Sequence, residues 1–510
     1  MLSLSVILNK FLFSAYTMLA TQKSLITAFV TGLLCVFGFA PFGLFLLPVL
    51  ALAVLFGLWQ GANSPVAAGW LGFVFGLGYF IAGIGWLYVS LHDFGGMPVL
   101  LALPVTLLFA AFFALFPALA GYLQARTGIN LRVGYRQLLI MPALWVLIEW
   151  LRGTIFSGFP WLVTGYAQSD SWLCGYAPLF GVYGVSLAAA ICAGLFALYV
   201  QAGSRKFYLL AAFALLWVGG WELSTIAWTS PYGEPFSVAL VQGNIAQERK
   251  FNEDALDDTL QTYLNLTLQN PARLTLLSET AVPLFRDEIS PEFLKQLRVQ
   301  AQKMGGDILI GAFERQQGLY YNQIFTQGLA PEQQYRKQHL VPFGEFIPMR
   351  SLFAWIINGV LNIPMSDLAH GDALQKPLAV AGQYIAANIC YEDVFGEEII
   401  RALPQATLLV NITNDAWFGR SHAAAQHNQI AQFRALESGR MMLRATNTGV
   451  TSIIDVNGRV LQQLPQHKQA VLNGYARGYQ GSTPYVRYGN AALLLLIALL
   501  LAVGKQGWMA

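Results

Sequence analysis

The chain has 510 residues, of which 55% are hydrophobic and only 11% charged, against roughly 25% charged residues in an ordinary soluble protein. That length is too great for one ordinary domain, and the scarcity of charge argues against an all-soluble protein and for a membrane protein. The net charge of +3 is small for the size, and no basic cluster interleaved with aromatics marks a nucleic-acid surface, so nucleic acid is not an expected partner.

About a dozen Asp, Glu, Lys and Arg fall in residues 1–222, and nearly all the others lie in 223–490. Apolar runs able to cross about 30 Å of hydrocarbon occur near 24–40, 44–60, 70–91, 97–123, 138–152, 181–201, 207–222 and 490–504. They predict an α-helical membrane domain of about eight transmembrane helices. The run 138–152 needs tilting, or snorkelling at Arg152, to reach across. The first run is followed at once by another and carries no cleavage site, so it reads as a span and not a signal peptide.

Within these runs, Cys35 follows Leu34 where a lipobox wants a small residue, and reads as a packed thiol. The stretch GFVFGLGYFIAG has no strand before it, and Gly72 and Gly76 at small-xxx-small spacing predict close helix packing rather than a phosphate loop. Glu149 is costly in an apolar run unless partnered; Arg152 at i+3 predicts a structural pair, with contact to a lipid headgroup as the alternative.

The basic residues fix the expected orientation. Lys10 and Lys23, then Arg126, Arg132 and Arg136, then Arg205 and Lys206 all fall in loops on one side, which the positive-inside rule makes cytoplasmic. Residues 1–222 then hold seven spans, 223–489 form an extracytoplasmic domain, and 490–510 supply the eighth span with a short cytoplasmic tail.

In the polar segment, PFSVALVQGNI, RLTLLSET, GDILIGAF, YIAANICYED and ATLLVNITND read as strands, with helical stretches at 252–269, 291–304 and 423–444. Strands apolar on both faces alternating with helices predict a layered α/β domain whose strand ends carry the chemistry. Three such ends offer reactive groups: Glu279, Lys337 and Cys390. Of the four cysteines only Cys390 lies in the polar segment, so no disulfide framework is available to it there. Three carboxylates and Asp393 crowd around it, which disfavours a standing thiolate and calls for a dedicated base. Glu279 as base, Lys337 as the cation facing an oxyanion and Cys390 as the nucleophile make a complete set for acyl transfer through a thioester.

Other polar features carry less. His422 and His427, five apart, project about 140° apart on a helix and do not form a zinc pair, and neither a metal nor a cofactor is expected. FRALESGRMMLR, with Arg434, Glu437, Arg440 and Arg444, reads as an ion-paired core helix. The aromatic stretch 341–365 beside Lys337 reads equally as a core helix with its loop or as a lid over a lipid tunnel.

The sequence resembles the apolipoprotein N-acyltransferases, bacterial inner-membrane members of the nitrilase, or carbon-nitrogen hydrolase, superfamily. The resemblance rests on VQGNI (241–245), SETAVP (278–283), KQHLVPFGEFIP (337–348), CYE (390–392), TNDAWFG (413–419) and RATNTG (444–449), with FGFAPFG (37–43), FGGMP (94–98), EWLRG (149–153) and GFPWL (158–162) in the apolar half. One departure is that Leu277 and Ser278 precede Glu279 where the family reads Trp-Pro; Ala281 and Pro283 stay in register. The resemblance implies an αββα sandwich on a periplasmic domain and a Glu279, Lys337, Cys390 triad. It further implies Glu345, Tyr391, Glu392 and Asn322 as supporting residues, and Trp228 as a substrate-binding position. Either Glu345 or Glu392 is placed to hold the lysine. It also implies a phospholipid acyl donor and a diacylglyceryl-modified apolipoprotein acceptor. A membrane-tethered amidase that passes the acyl group to water, and a transporter with a degenerate domain, are the competing readings.

Overall fold

The computed structural model describes residues 22–128, 131–201, 203, 205–348 and 367–506. Most of the aromatic stretch 341–365, from Met349 onwards, lies outside the described residues.

The apolar half is helical: Gln22–Cys35, Leu46–Gln60, Pro65–Ile84, Val99–Gly128, Met141–Arg152, Ala177–Gln201 and Lys206–Ser224, with Ala491–Gln506 at the far end of the chain. Among the described residues four helices, Pro65–Ile84, Val99–Gly128, Trp172–Val200 and Lys206–Ser224, are long and apolar enough to cross a membrane. Gln22–Gly38, Leu46–Gln60 and Ala491–Gly504 are apolar but shorter. Met141–Arg152 is a 12-residue helix continued on its N-terminal side by the wider turns of Arg136–Ile140. The expected crossings at 24–40, 44–60, 138–152 and 490–504 therefore rest on shorter helices than the bilayer alone would ask for.

Gly72 and Gly76 do what their spacing predicts: a side chain on Gly72 would run into the Pro117 carbonyl, and one on Gly76 into Ala114, so Pro65–Ile84 and Val99–Gly128 touch backbone to backbone. Glu149 and Arg152, by contrast, make their hydrogen bonds to other groups and no direct contact with each other, and Glu149 Oε2 has no hydrogen-bond partner among the described residues. Glu149 accepts hydrogen bonds from the backbone N–H and hydroxyl of Thr164, while Arg152 donates to the carbonyls of Phe159, Trp161 and Leu162. The reason is geometric, because the chain after the helix turns back and offers its own polar backbone to both side chains.

The polar half is a two-sheet sandwich. One sheet has the order β12-β1-β2-β3-β4-β5 and the other β11-β10-β9-β8-β7-β6. The first contains β1 (Thr229–Gln242), β2 (Leu274–Leu276), β3 (Asp307–Gln316), β4 (Leu319–Gly328), β5 (Gln334–Arg336) and β12 (Ala470–Gly481). The second contains β6 (Leu378–Val380), β7 (Gln383–Ile389), β8 (Leu408–Thr413), β9 (Met442–Thr446), β10 (Ser452–Ile454) and β11 (Val460–Gln463). β1, β2 and β3 run parallel, as do β7, β8 and β9.

Alternation along the strands explains the layers. Leu240, Leu276, Leu309 and Ile324 meet Ile385, Leu408, Val410, Ile412 and Leu443 between the sheets. Their neighbours Val241, Ile308, Ile310 and Phe325 face the other way, onto helices Leu256–Gln269 and Pro291–Lys303. On the far side Ala386, Leu409 and Met442 pack against Ala431 and Ala435 of helix Ala423–Ser438. The central strands are covered on both faces, which is why they read as continuous apolar runs, while β11 and β12 at the sheet edges are largely exposed.

Helix Ala423–Ser438 stops earlier than its apolar content suggests. Gly439 takes a left-handed conformation (φ 63°) and ends it, and MMLR, expected as helix, enters β9. The same helix joins the two halves: Ile430, Phe433 and Leu436 share a core with the membrane helices, as do Val394 and Phe395. Glu437 accepts the Val182 N–H at 2.6 Å, where the chain breaks helical geometry at Gly181, and pairs with Arg434. Arg444 pairs with Asp393 and Asp415 but lies on a strand, while Arg440, past the helix end, makes no ion pair among the described residues and donates to the Ala406 and Gly481 carbonyls, so the ion-paired helix expected of FRALESGRMMLR is present only in part.

Candidate active site

Glu279 lies three residues beyond the end of β2, Lys337 follows β5 directly and Cys390 follows β7 directly. Parallel neighbours end at the same edge, so sheet topology alone brings distant segments to one place. Two of the three, Glu279 and Cys390, lie at a sharp change of direction. Cys390 (φ 54°) and Thr280 (φ 49°), the residue after Glu279, both take left-handed backbone conformations that a side chain disfavours by about 1–3 kcal/mol. In Cys390 this turns the residue out of the strand into the short turn Cys390–Val394.

The glutamate and lysine are fully built in. Glu279 Oε1 accepts from Asn322 Nδ2 at 2.8 Å and stands 3.4 Å from Lys337 Nζ, while Oε2 accepts the Asn414 N–H at 2.7 Å. Lys337, 1% exposed, sits 2.7 Å from Glu345 Oε1. Burial alone would lower its pKa, but Glu345 and Glu279 outweigh that and hold it well above the ordinary lysine value. Burial pushes the Cys390 thiol well up, and Glu279 pushes it further, with Lys337 working against both. The resting sulfur is therefore a thiol.

Of the two glutamates expected beside the lysine, only Glu345 holds it; its other oxygen accepts the Val341 N–H, which fixes the loop. Glu392 instead accepts backbone N–H groups of Ile389, Gln338 and His339 and the Tyr335 hydroxyl. It thus ties the cysteine turn to the lysine loop. Burial raises its pKa to about 7, with those backbone donors opposing. Tyr391 donates through its hydroxyl to Gly158 O at 3.1 Å, reaching into the membrane half. Asn322 sits on β4 and positions both partners, because its carbonyl also accepts the Lys337 N–H. Trp228 is not brought to this group: it precedes Thr229, at the opposite end of β1 from the edge that carries Glu279.

Other residues around the site are read from the sequence in different roles, as His427 and Arg444 are, or not at all. Behind the cysteine turn, His427 bridges Asp393 and Asp415, and Arg444 bonds Asp393 and Asn411. Asn411 Nδ2 then donates to the Cys390 carbonyl. Both imidazole nitrogens of His427 are thereby engaged by carboxylates. Ser278, one half of the Leu277-Ser278 departure, bonds the Tyr263 hydroxyl at 2.7 Å, and Leu277 is packed in the helix-side core. The departure thus fits its own pocket and leaves Glu279 in place. Lys250, whose ammonium donates to the Glu279 carbonyl, gave no sequence signal beyond a polar QERK stretch.

A two-sheet sandwich of carbon-nitrogen hydrolase type, joined to apolar helices and carrying a buried glutamate-lysine pair beside a cysteine, defines a membrane-embedded nitrilase-fold protein. Residues 31–195 match the apolipoprotein N-acyltransferase N-terminal domain family and residues 237–474 the carbon-nitrogen hydrolase family. The chain is 50% identical over 485 residues to the apolipoprotein N-acyltransferase of Nitrosomonas europaea, covering 94% of this chain and 97% of that one. It is 45% identical over 474 residues to that of Methylococcus capsulatus, covering 92% and 93%. The chain belongs to the apolipoprotein N-acyltransferase family.

Proposed function

We propose that this protein transfers a fatty acyl chain from a phospholipid, through a thioester on Cys390, to the α-amine of the N-terminal diacylglyceryl-cysteine of an apolipoprotein. The observation that carries the reading is the arrangement around Glu279: a carboxylate fixed by Asn322, Lys337 and the Asn414 N–H, whose charge acts on a protonated, part-exposed cysteine.

In the first half-reaction Glu279 takes the thiol proton as sulfur attacks the ester carbonyl, and the Lys337 ammonium offsets the oxyanion. Collapse breaks the C–O bond, and the proton held by Glu279 passes to the departing lysophospholipid oxygen. In the second, the acceptor amine attacks the thioester, gives a proton to Glu279, and the thiol is re-formed. Glu345 keeps the lysine in place throughout, and Glu392 with Tyr391 keeps the cysteine turn in place. The membrane helices suit both substrates, which are anchored in the bilayer.

Two half-reactions separate transfer from hydrolysis. Mixed with phospholipid alone, the protein should gain the mass of one acyl chain and lose it to hydroxylamine. A diacylglyceryl-cysteine peptide should then discharge the adduct onto its own N-terminus. Drainage to free fatty acid at one rate with or without peptide would make the protein a hydrolase.

The same reading places the protein in the bacterial inner membrane with residues 223–489 in the periplasm, since the basic loops fall on the other side. Reporter fusions at Arg205–Lys206 and within 223–489 should give opposite signals, and matching signals would refute that orientation.

A further inference from the structure

The short helix Gln247–Lys250, which follows β1, lies against the catalytic glutamate and has no part in the two half-reactions above. Its last residue, Lys250, is 3% exposed. The ammonium donates to the main-chain carbonyl of Glu279 at 2.8 Å, and among the described residues this is its only hydrogen bond and no carboxylate pairs with it. A buried cation without an ion-pair partner is costly, and a methionine would fill similar space without that cost. The charge therefore needs a reason.

The surroundings supply one. The carbonyl that Lys250 holds belongs to the peptide leading into Thr280, whose φ is 49°, so the backbone leaves Glu279 in a disfavoured direction. The same short helix reaches the other end of the glutamate: Gln247 Oε1 accepts from Asn414 Nδ2 at 2.9 Å, and the Asn414 N–H donates to Glu279 Oε2. Main chain and carboxylate of one residue are thus gripped from a single four-residue element. Burial lowers the pKa of Lys250 to about 8, while Glu279 and Cys390 pull it back up, which puts the ammonium within electrical reach of both.

We propose that Lys250 is a positioning residue for acyl transfer, whose buried ammonium holds the Glu279 carbonyl and so aims the carboxylate at the Cys390 thiol. The proposal rests on the reading of Glu279 as the base. It predicts that loss of the ammonium slows deprotonation of the thiol without displacing substrate.

The test reads thiol activation directly, as the rate at which uncharged iodoacetamide alkylates Cys390 in the full-length protein, followed by peptide mass. Lys250→Met should slow alkylation by up to about a hundred-fold, the order by which a misplacement of about 1 Å slows a reaction, and should leave the phospholipid KM within about two-fold. In Lys250→Ala, added butylammonium should restore the rate while butanol should not, because only the cation can take the vacated bond; this arm separates positioning from loss of packing. Wild-type alkylation in Lys250→Met, or equal rescue by amine and alcohol, or rescue by neither, overturns the proposal. Glu279→Gln measured alongside keeps the two readings apart: if it alkylates normally, the base assignment fails, whereas a slow Glu279→Gln beside a normal Lys250→Met removes Lys250 alone.

Discussion

Glu279→Gln should leave Cys390 unable to take up an acyl chain from phospholipid. Burial and the neighbouring carboxylate both push the thiol pKa up, so almost no standing thiolate exists and the proton has to be removed during attack. A positioned general base typically contributes about 10²- to 10⁴-fold. The amide cannot accept the proton. It also fits the pocket badly: Glu279 Oε1 faces two donors, Asn322 Nδ2 and Lys337 Nζ, and Oε2 faces the Asn414 N–H, so either orientation sets the new NH₂ against a donor. Intact mass after incubation with phospholipid should show the acyl adduct on the wild type and none on the variant over the same period. A full adduct on Glu279→Gln at the normal rate would remove the glutamate from the chemistry.

What was legible in the sequence follows from burial. The second half of β1 and most of β2, β3, β7 and β8 are covered on both faces, so they stand out as apolar runs, and the ends of β2 and β7 marked Glu279 and Cys390. β4 and β12 mix polar residues into LYYNQIFTQG and AVLNGYARGYQG and escape such a reading, although β4 carries Asn322. β9 was hidden by apolar continuity with the preceding helix; Gly439 was the stop signal in the sequence. The expected Glu149–Arg152 pair failed for a different reason. Sequence spacing tells which side chains can meet along one helix, but not that the following loop returns to offer Thr164 to the acid and three carbonyls to the base. Lys250 is the same kind of case. A lysine in a polar run reads as solvated, and only the long-range packing of residues 247–250 against the Glu279 turn makes it a buried cation.

Lys337→Met should lower turnover about a hundred- to a thousand-fold, the usual cost of about 3–4 kcal/mol when one oxyanion donor is lost. The geometry adds a second effect on top. Lys337 is the cation between Glu279 and Glu345, at 3.4 and 2.7 Å. Without it, buried Glu279 and part-buried Glu345 share a site with no ammonium between them, and one of them takes up a proton to relieve the repulsion. If that is Glu279, the base is lost together with the oxyanion donor. Lys337→Met with Glu345→Gln removes the repulsion but cannot restore the oxyanion contact, so the double variant should regain thermal stability over Lys337→Met while staying nearly inactive. Lys337→Arg separates charge from shape: the guanidinium keeps the positive charge, but its planar fork does not fit a space that is 1% exposed and built around a point-like ammonium. It should retain little activity, measured as acyl-adduct formation and peptide acylation on folded protein. Near-normal turnover in Lys337→Arg would mean that positive charge anywhere near Glu279 suffices, and the direct contact between Lys337 and the oxyanion would have to be given up.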